Sequence, residues 1–225
     1  MGLAFAVPLV ASAQEWQVIA QGPILVKVRP RGTAGLRDLW AEGEMDAEVQ
    51  DLQSAILDEE AYPRFMPYVK EVRTLEITPE GERLVYTRVE PPFIGARDYV
   101  VKMRVRKVVG PDGSGEFANA WHSVPDRFPR RQAVIRLAIC DGSWEISQAP
   151  SGRARVVYRA AVDPGGWLPG FLSNLANSAG TMDAFRAVER EARRRGEVRR
   201  AQAASTGPPG APWTPPGSNS GPAGQ

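Results

Sequence analysis

The chain has almost nothing to offer inorganic or covalent chemistry. Its 225 residues include one histidine, His122, and one cysteine, Cys140. A single histidine cannot anchor a multi-histidine metal site, and a single cysteine can neither close an internal disulfide nor build a thiolate zinc cage. A Ser-His-Asp triad would have to use His122, and no Gly-x-Ser-x-Gly elbow is present to supply the nucleophile. The glycine-rich stretch Gly110-Pro111-Asp112-Gly113-Ser114-Gly115 lacks the lysine of a phosphate-binding loop and sits between two strand patterns, so it reads as a turn. No metal and no cofactor are expected. No run of 18 apolar residues occurs, so no membrane-spanning helix is predicted. The net charge of +2, from 28 Lys and Arg against 26 Asp and Glu, gives no reason to expect nucleic acid.

Both ends read as lying outside the fold. Gly2 to Val10 is uncharged and apolar, and Ala11-Ser12-Ala13 follows as a small-x-small cleavage site. Residues 1–13 are therefore expected to be a signal peptide and the protein to be exported to the periplasm. No Lys or Arg precedes the apolar run, and if the leader is not a signal the protein is cytoplasmic. From Ala203 to Gln225 there are five Gly and six Pro among 23 residues, and no charge. Such a segment cannot bury a core, so 201–225 is expected to be a disordered tail. That leaves 14–200, enough for one sizeable domain. Between Arg186 and Gln202 stand seven Arg and three Glu. This basic run suits the last turns of a helix or a contact with anionic headgroups.

Within the domain, strand patterns dominate. Trp16 to Pro30 reads as two strands about the turn Gln21-Gly22-Pro23, and Leu36 to Met45 as a third. The period then changes: Val49, Leu52, Ile56 and Leu57 recur at helical spacing, with Asp46 as the expected cap, and Pro63 and Pro67 bracket a second short helical piece. Strands return after Tyr68, separated by Pro- and Gly-rich turns, and include Ala133–Ile139 running on into Ser143–Gln148. Val85, Thr87 and Val89 share one face of their strand, as do Tyr99, Val101, Met103 and Val105 of the next, while Lys102, Arg104 and Arg106 take the opposite face. One dry and one wet face argue an antiparallel sheet. A final amphipathic helix starts near Pro169 and continues to Arg195, with Leu168, Leu175 and Met182 seven residues apart and Phe171, Leu172, Ala179 and Phe185 on the same stripe. Segregated strands and helices indicate an α+β fold.

Four stretches, in order, carry a family resemblance. Asp163-Pro164-Gly165-Gly166-Trp167-Leu168-Pro169 resembles the strand-to-helix joint of the START (StAR-related lipid transfer) family. Val85–Arg104 is similar to its strand, apolar loop and Arg-Asp-aromatic strand. Gly43–Glu76 resembles its first internal helix pair, and Ala133–Ile139 with Gly142–Ile146 its penultimate strand. The resemblance covers Trp16 to about Glu191 and lacks the N-terminal helix of many animal members. It implies a helix-grip fold, in which a curved antiparallel sheet wraps a long C-terminal helix, with a short helix pair after the third strand.

The resemblance also implies a lipid- or sterol-binding tunnel between sheet and helix, with no catalysis. Val85, Thr87, Val89, Tyr99, Val101 and Met103 are expected to line it from two strands. Tyr158 and Ala160 would line it from the last strand, and Leu168, Phe171, Leu172 and Leu175 from the helix. The small side chain of Ala160, between Val156, Tyr158 and Val162, would help keep it open. The loop Pro91-Pro92-Phe93-Ile94-Gly95 is the expected gate, since Phe93 and Ile94 are poorly placed in water at a loop tip. The partner is then a hydrophobic small molecule, with transient contact at a membrane surface, no nucleic acid, and a monomeric protein. Only Tyr99 stands out as aromatic among the facing strand positions beside Thr87 and Val101, too few for a choline cage. Sterol, hopanoid and fatty acyl ligands stay open. Two alternatives remain: a polyketide cyclase/aromatase using groups such as Tyr99, Tyr158, Asp126 and Arg127, and a partner-binding scaffold whose cavity is filled.

Overall fold

A computed structural model of the chain describes residues 15–32, 36–92, 94–163, 165 and 170–205, the last segment without the side chains of 170–179. The strands are β1 (Gln17–Ala20), β2 (Ile24–Pro30), β3 (Arg37–Met45), β4 (Val69–Ile77), β5 (Arg83–Val89), β6 (Arg97–Lys107), β7 (Phe117–Ser123), β8 (Ile135–Arg136), β9 (Cys140–Gln148) and β10 (Ala154–Val162). The helices are α1 (Val49–Leu57), α2 (Tyr62–Phe65) and α3 (Gly170–Ser205). Nine strands form one curved sheet in the order β1-β2-β3-β10-β9-β7-β6-β5-β4, with β8 attached to β6. All neighbours along that path are antiparallel; β8 pairs parallel with Arg97 and Asp98 at the start of β6. The α+β helix-grip architecture is as the sequence implies.

Alternation sets which face turns inward. In β2, Val26 and Val28 are fully buried and lie opposite Ala41 and Leu39 of β3, while the alternate residues Lys27 and Arg29 are only half-buried. The main core joins this inner face to Leu52 and Ile56 of α1 and to Phe185, Val188 and Ala192 of α3. Each large aliphatic or aromatic side chain so buried contributes roughly 1.5–3 kcal/mol. A second, smaller cluster of Leu84, Tyr86 and Val100 lies on the opposite face of β5 and β6 and is covered by Val124 and Phe128.

Three local expectations are corrected. Asp46 does not cap α1: Glu48 holds the cap position without a side-chain cap bond, and Asp46 is engaged elsewhere, its backbone N–H donating to Glu189 of α3 (2.7 Å). Ala133–Ile139 is not a full strand; only the two residues of β8 pair there. The reason is Arg136, whose guanidinium is drawn to Asp98 of β6 with N···O distances of 2.7 and 3.1 Å. It also donates to the carbonyls of Phe128 (2.9 Å), Pro129 (3.2 Å) and Pro125. A residue with those obligations pulls its segment out of regular pairing.

The third correction is the length of α3, which continues through Ser205, past both Arg195 and the expected boundary at 200. The basic run explains it. Arg199 binds Asp51 of α1 bidentately (2.9 and 3.0 Å), Arg195 binds Asp58 (2.7 Å) and the Ser54 carbonyl (2.9 Å), and Arg200 binds Glu48 (3.0 Å). These arginines are spent within the fold, which removes most of the case for a headgroup patch. Asp51 is 4% exposed, so Asp51→Ala should cost about 1–3 kcal/mol. Faster amide exchange confined to α1 and the end of α3 would confirm the clasp, and unchanged exchange there would refute it. The leader 1–13, the tail beyond Ser205, Phe93, Leu168 and the side chains of Phe171, Leu172 and Leu175 lie outside the described residues.

Candidate functional site

The curved sheet is wider than α3 alone can fill, and a cavity of about 270 Å³ remains between them. Its walls follow from strand register. Val85 pairs with Val101 and Thr87 with Tyr99 across β5 and β6, and Met103 lies opposite Trp121 across β6 and β7, so these side chains point the same way. Tyr158 pairs with Trp144 on one side, and Ala160 faces Leu39 across the β10–β3 pair. Seven expected wall residues face the cavity: Val85, Thr87, Tyr99, Val101, Met103, Tyr158 and Ala160. Val89 does not, because it occupies the last rung of β5, opposite Arg97, beyond the cavity's end.

Much of the lining was not anticipated. Trp121, Trp144, Tyr158 and Phe185 form an aromatic cluster, with ring centroids 4.6 Å apart for Trp144–Tyr158, 5.3 Å for Trp144–Phe185 and 6.0 Å for Trp121–Tyr158. The alternation of Asn119 with Trp121 in β7, and of Trp144 with Ile146 in β9, was the available signal. The rings are more numerous than the strand reading suggested, yet they pack on one another. A choline cage needs rings standing apart around the cation.

Trp121 owes its position to a glycine. A Cβ on Gly142 would stand 2.5 Å from the Arg159 carbonyl oxygen and closer still to the Trp121 ring. A side chain there would collide with both, so the glycine leaves the space that the Trp121 ring occupies beside β9. Gly142→Ala should cost about 1–3 kcal/mol by overpacking and shift the tryptophan emission. Unchanged stability and emission would show that Trp121 does not depend on this notch. At the strand-to-helix joint Gly165 has φ 65°, a left-handed conformation that suits glycine, and its N–H donates to Asp163 Oδ1 at 3.0 Å.

The polar lining is sparse and mostly committed. Asn119 is 1% exposed; its Oδ1 accepts the Trp144 backbone N–H (3.3 Å) and its amide nitrogen approaches Met103 Sδ (3.6 Å). Tyr99 is hydrogen-bonded to Thr87. Burial pushes the Tyr99 and Tyr158 hydroxyls above the ordinary tyrosine range and the Cys140 thiol up to about 12. Glu59 lies in the short turn Glu59–Ala61 between α1 and α2, lines the cavity and is 3% exposed. Arg83 of β5 binds it at 2.6 Å and also donates to the Leu57 carbonyl (3.0 Å). Burial raises the Glu59 carboxyl to about 7, against the opposing pull of the Arg83 guanidinium. Nearby, the Tyr62 hydroxyl donates to the Ile56 carbonyl (2.6 Å).

Asp126 and Arg127 are not in the cavity. They sit in the outer turn Pro125–Arg127, where Asp126 meets Arg130 (3.7 Å) and Arg127 meets Glu76 (2.9 Å). Among the described residues no cluster of His, Cys, Asp and Glu could hold a metal ion, and no helix is long and apolar enough to cross a membrane. In the loop expected to act as a gate, Ile94 is half-buried and the Gly95 carbonyl accepts a bond from Arg97 (2.9 Å).

Residues 45–189 match the model of the polyketide cyclase/dehydrase and lipid transport family. A curated relative, phosphatidylcholine transfer protein of Rattus norvegicus, is 28% identical over 74% of this chain and 78% of its own length. A STAR-related lipid transfer protein from Xanthomonas axonopodis shares the fold with a TM-score of 0.66 at 24% identity, over 79% of this chain and 98% of that one. An aromatase/cyclase from Streptomyces is also similar in fold, with a TM-score of 0.52 at 14% identity, over 71% of this chain and 95% of that one.

Proposed function

Because the chain belongs to the polyketide cyclase/dehydrase and lipid transport family, we propose that it binds one hydrophobic small molecule, lipid- or sterol-like, between the sheet and α3 and carries it chemically unchanged. The observation that carries this reading is an apolar and aromatic cavity with few free polar groups, the usual character of a site for such ligands. Its volume of about 270 Å³ lies just under the ~300–1,000 Å³ typical of small-molecule sites. The same open volume weighs against a scaffold with a filled core.

The rival reading is a polyketide cyclase/aromatase, favoured by the family's breadth and by Tyr99 and Tyr158 in the cavity. Against it, Tyr99, Tyr158 and Cys140 are all held protonated near neutral pH, where an efficient acid–base group would have a pKa close to the working pH. Among the described cavity residues only Glu59 stands there. One experiment separates the two readings. The protein is incubated with vesicles made from a bacterial lipid extract, re-isolated and extracted. About one unmodified hydrophobic molecule per protein supports carriage; conversion of a poly-β-keto substrate to a cyclised product would support the enzyme.

The route in would be the loop Pro91–Gly95, with transient contact at a membrane surface and a monomeric protein. On the reading of the leader, the working compartment is the periplasm. Protein isolated from its host should begin at Gln14, and an intact Met1 in the soluble cytosol would overturn export.

A further inference from the structure

The end of the cavity nearest the expected gate loop is bordered by a strap, residues 124–139, which joins β7 to β9 across the outer face of the sheet. Cys140 and Val162 pair at that end, and both line the cavity. One residue further out, the Asp163 N–H donates to the Ile139 carbonyl (3.0 Å). Beyond it, the Ile135 N–H donates to the carbonyl of Ala96 (3.1 Å), the residue that follows the gate loop. The Ile135 side chain fills the notch at Gly165 of the strand-to-helix joint, where a Cβ would stand 2.8 Å from Ile135 Cγ2. Ile135 is thus wedged between the two elements that have to part for a ligand to enter at this end, and it is still 39% exposed.

The strap has a fixed root and a lightly held tip. The root is the buried Arg136–Asp98 pair, the three carbonyls on Arg136, and Phe128 packed on Tyr86 with ring centroids 4.6 Å apart. The tip, residues 130–135, is tied across to the edge strand β4 by Arg131, which binds Glu71 bidentately at 2.7 and 3.1 Å. Those two side chains are 31% and 22% exposed, so water and salt reach the pair. Ala133 in the tip has φ 58°, a left-handed conformation uncommon for a residue other than glycine. The Arg131 guanidinium also covers the Tyr86 ring, 5.0 Å from its centroid. Beneath it the Tyr86 hydroxyl, buried close to Asp98, meets no partner at hydrogen-bonding geometry among the described residues. When Arg131 swings out, water can reach that hydroxyl, which offsets part of the loss of the pair.

We propose that the tip of the strap is a latch on the cavity entrance: Ile135 bars the gate loop and the joint from parting, and the Arg131–Glu71 pair sets how often it lifts. This rests on the carriage reading and deepens it by naming what regulates exchange of the ligand. Neither Glu71, Arg131 nor Ile135 lines the cavity, so the latch acts on rates and not on affinity. The empty and the filled cavity lie behind the same barrier, and weakening it speeds entry and exit alike. A part-exposed ion pair is screened by salt, so exchange quickens with ionic strength as long as the pair is there to be screened.

The test follows two fluorescent probes, dehydroergosterol and cis-parinaric acid, entering and leaving the full-length protein in stopped flow. Glu71→Gln should raise the association and dissociation rates together, by about three- to tenfold, and leave Kd within about twofold of the wild type. Raising the salt to about 1 M should quicken exchange of the uncharged sterol in the wild type and hardly change it in Glu71→Gln. The converse variant joins Ile135→Cys to Gly165→Cys. Its disulfide should halt exchange and reduction should restore it, while Cys140, buried with its thiol raised to about 12, stays out of the reaction. Should the double variant not fold, Glu71→Gln decides alone. Unchanged rates in Glu71→Gln, or undiminished exchange by the oxidised double variant, would overturn the latch and leave carriage intact. So would a loss of affinity in Glu71→Gln without faster exchange, the mark of a merely structural pair. Binding of neither probe by the wild type would overturn both.

Discussion

Replacing Ala160 with tryptophan should abolish ligand binding while the sheet stays folded. Ala160 sits on β10 between Tyr158 and Val162, all three facing the cavity, and its small side chain leaves the space that the neighbouring aromatics do not take. An indole adds far more volume than an overpacked core tolerates without strain, typically 1–3 kcal/mol. Here, however, it enters a void of about 270 Å³, where it displaces ligand space instead of neighbours. The expected result is a loss of affinity of a hundredfold or more for any apolar probe, with a near-native far-ultraviolet dichroism spectrum. Undiminished binding by a folded Ala160→Trp protein would show that the ligand lies elsewhere.

The largest stability effect is expected at Asp98, which the cavity never touches. The side chains of Asp98 and Arg136 are each 1% exposed, and two N···O contacts join them. Removing one partner of a buried pair leaves an uncompensated charge and typically costs 3–5 kcal/mol. Asp98→Ala should therefore lower the melting temperature by roughly 6–20 °C for a domain of this size. The three carbonyls on Arg136 would survive the change but cannot neutralise it. A shift below 2 °C would mean that the pair contributes little and that Pro125–Leu137 is held by Val124 and Phe128 instead. Asp98→Asn should fall between the two, keeping one acceptor and losing the charge.

The two aspects of the motif Arg97-Asp98-Tyr99 show what the sequence could reveal. Alternation sends Tyr99 into the cavity and Asp98 to the opposite face, so the strand reading found the tyrosine as a wall residue. It had no means of finding the aspartate's partner. Arg136 lies 38 residues away in a stretch whose apolar pattern suggested an ordinary strand, and only the folded chain brings the two together. Glu59 and Arg83 were missed for a similar reason. One sits in a turn and the other at a strand's first residue, 24 positions apart, and charged residues in such places ordinarily face water. Trp121 and Trp144 were legible in principle, being on the inward phase of β7 and β9. Their packing depends on Gly142, whose role is set by a cross-strand contact rather than by a turn. The succession of most strands along the chain, the helix pair and the final helix were legible because periodicity and turn residues are local signals. The last ten residues of α3 were not, because Arg199 and Arg200 gain their partners from α1 and its cap residue Glu48.

The central claim, that a single hydrophobic molecule occupies the space between sheet and helix, is tested most directly by native mass spectrometry of the protein after exposure to a bacterial lipid extract. The account predicts a second species heavier by the mass of one lipid- or sterol-like molecule, at one per chain and absent from Ala160→Trp. A wild-type protein that stays at its bare mass under the same conditions would contradict it.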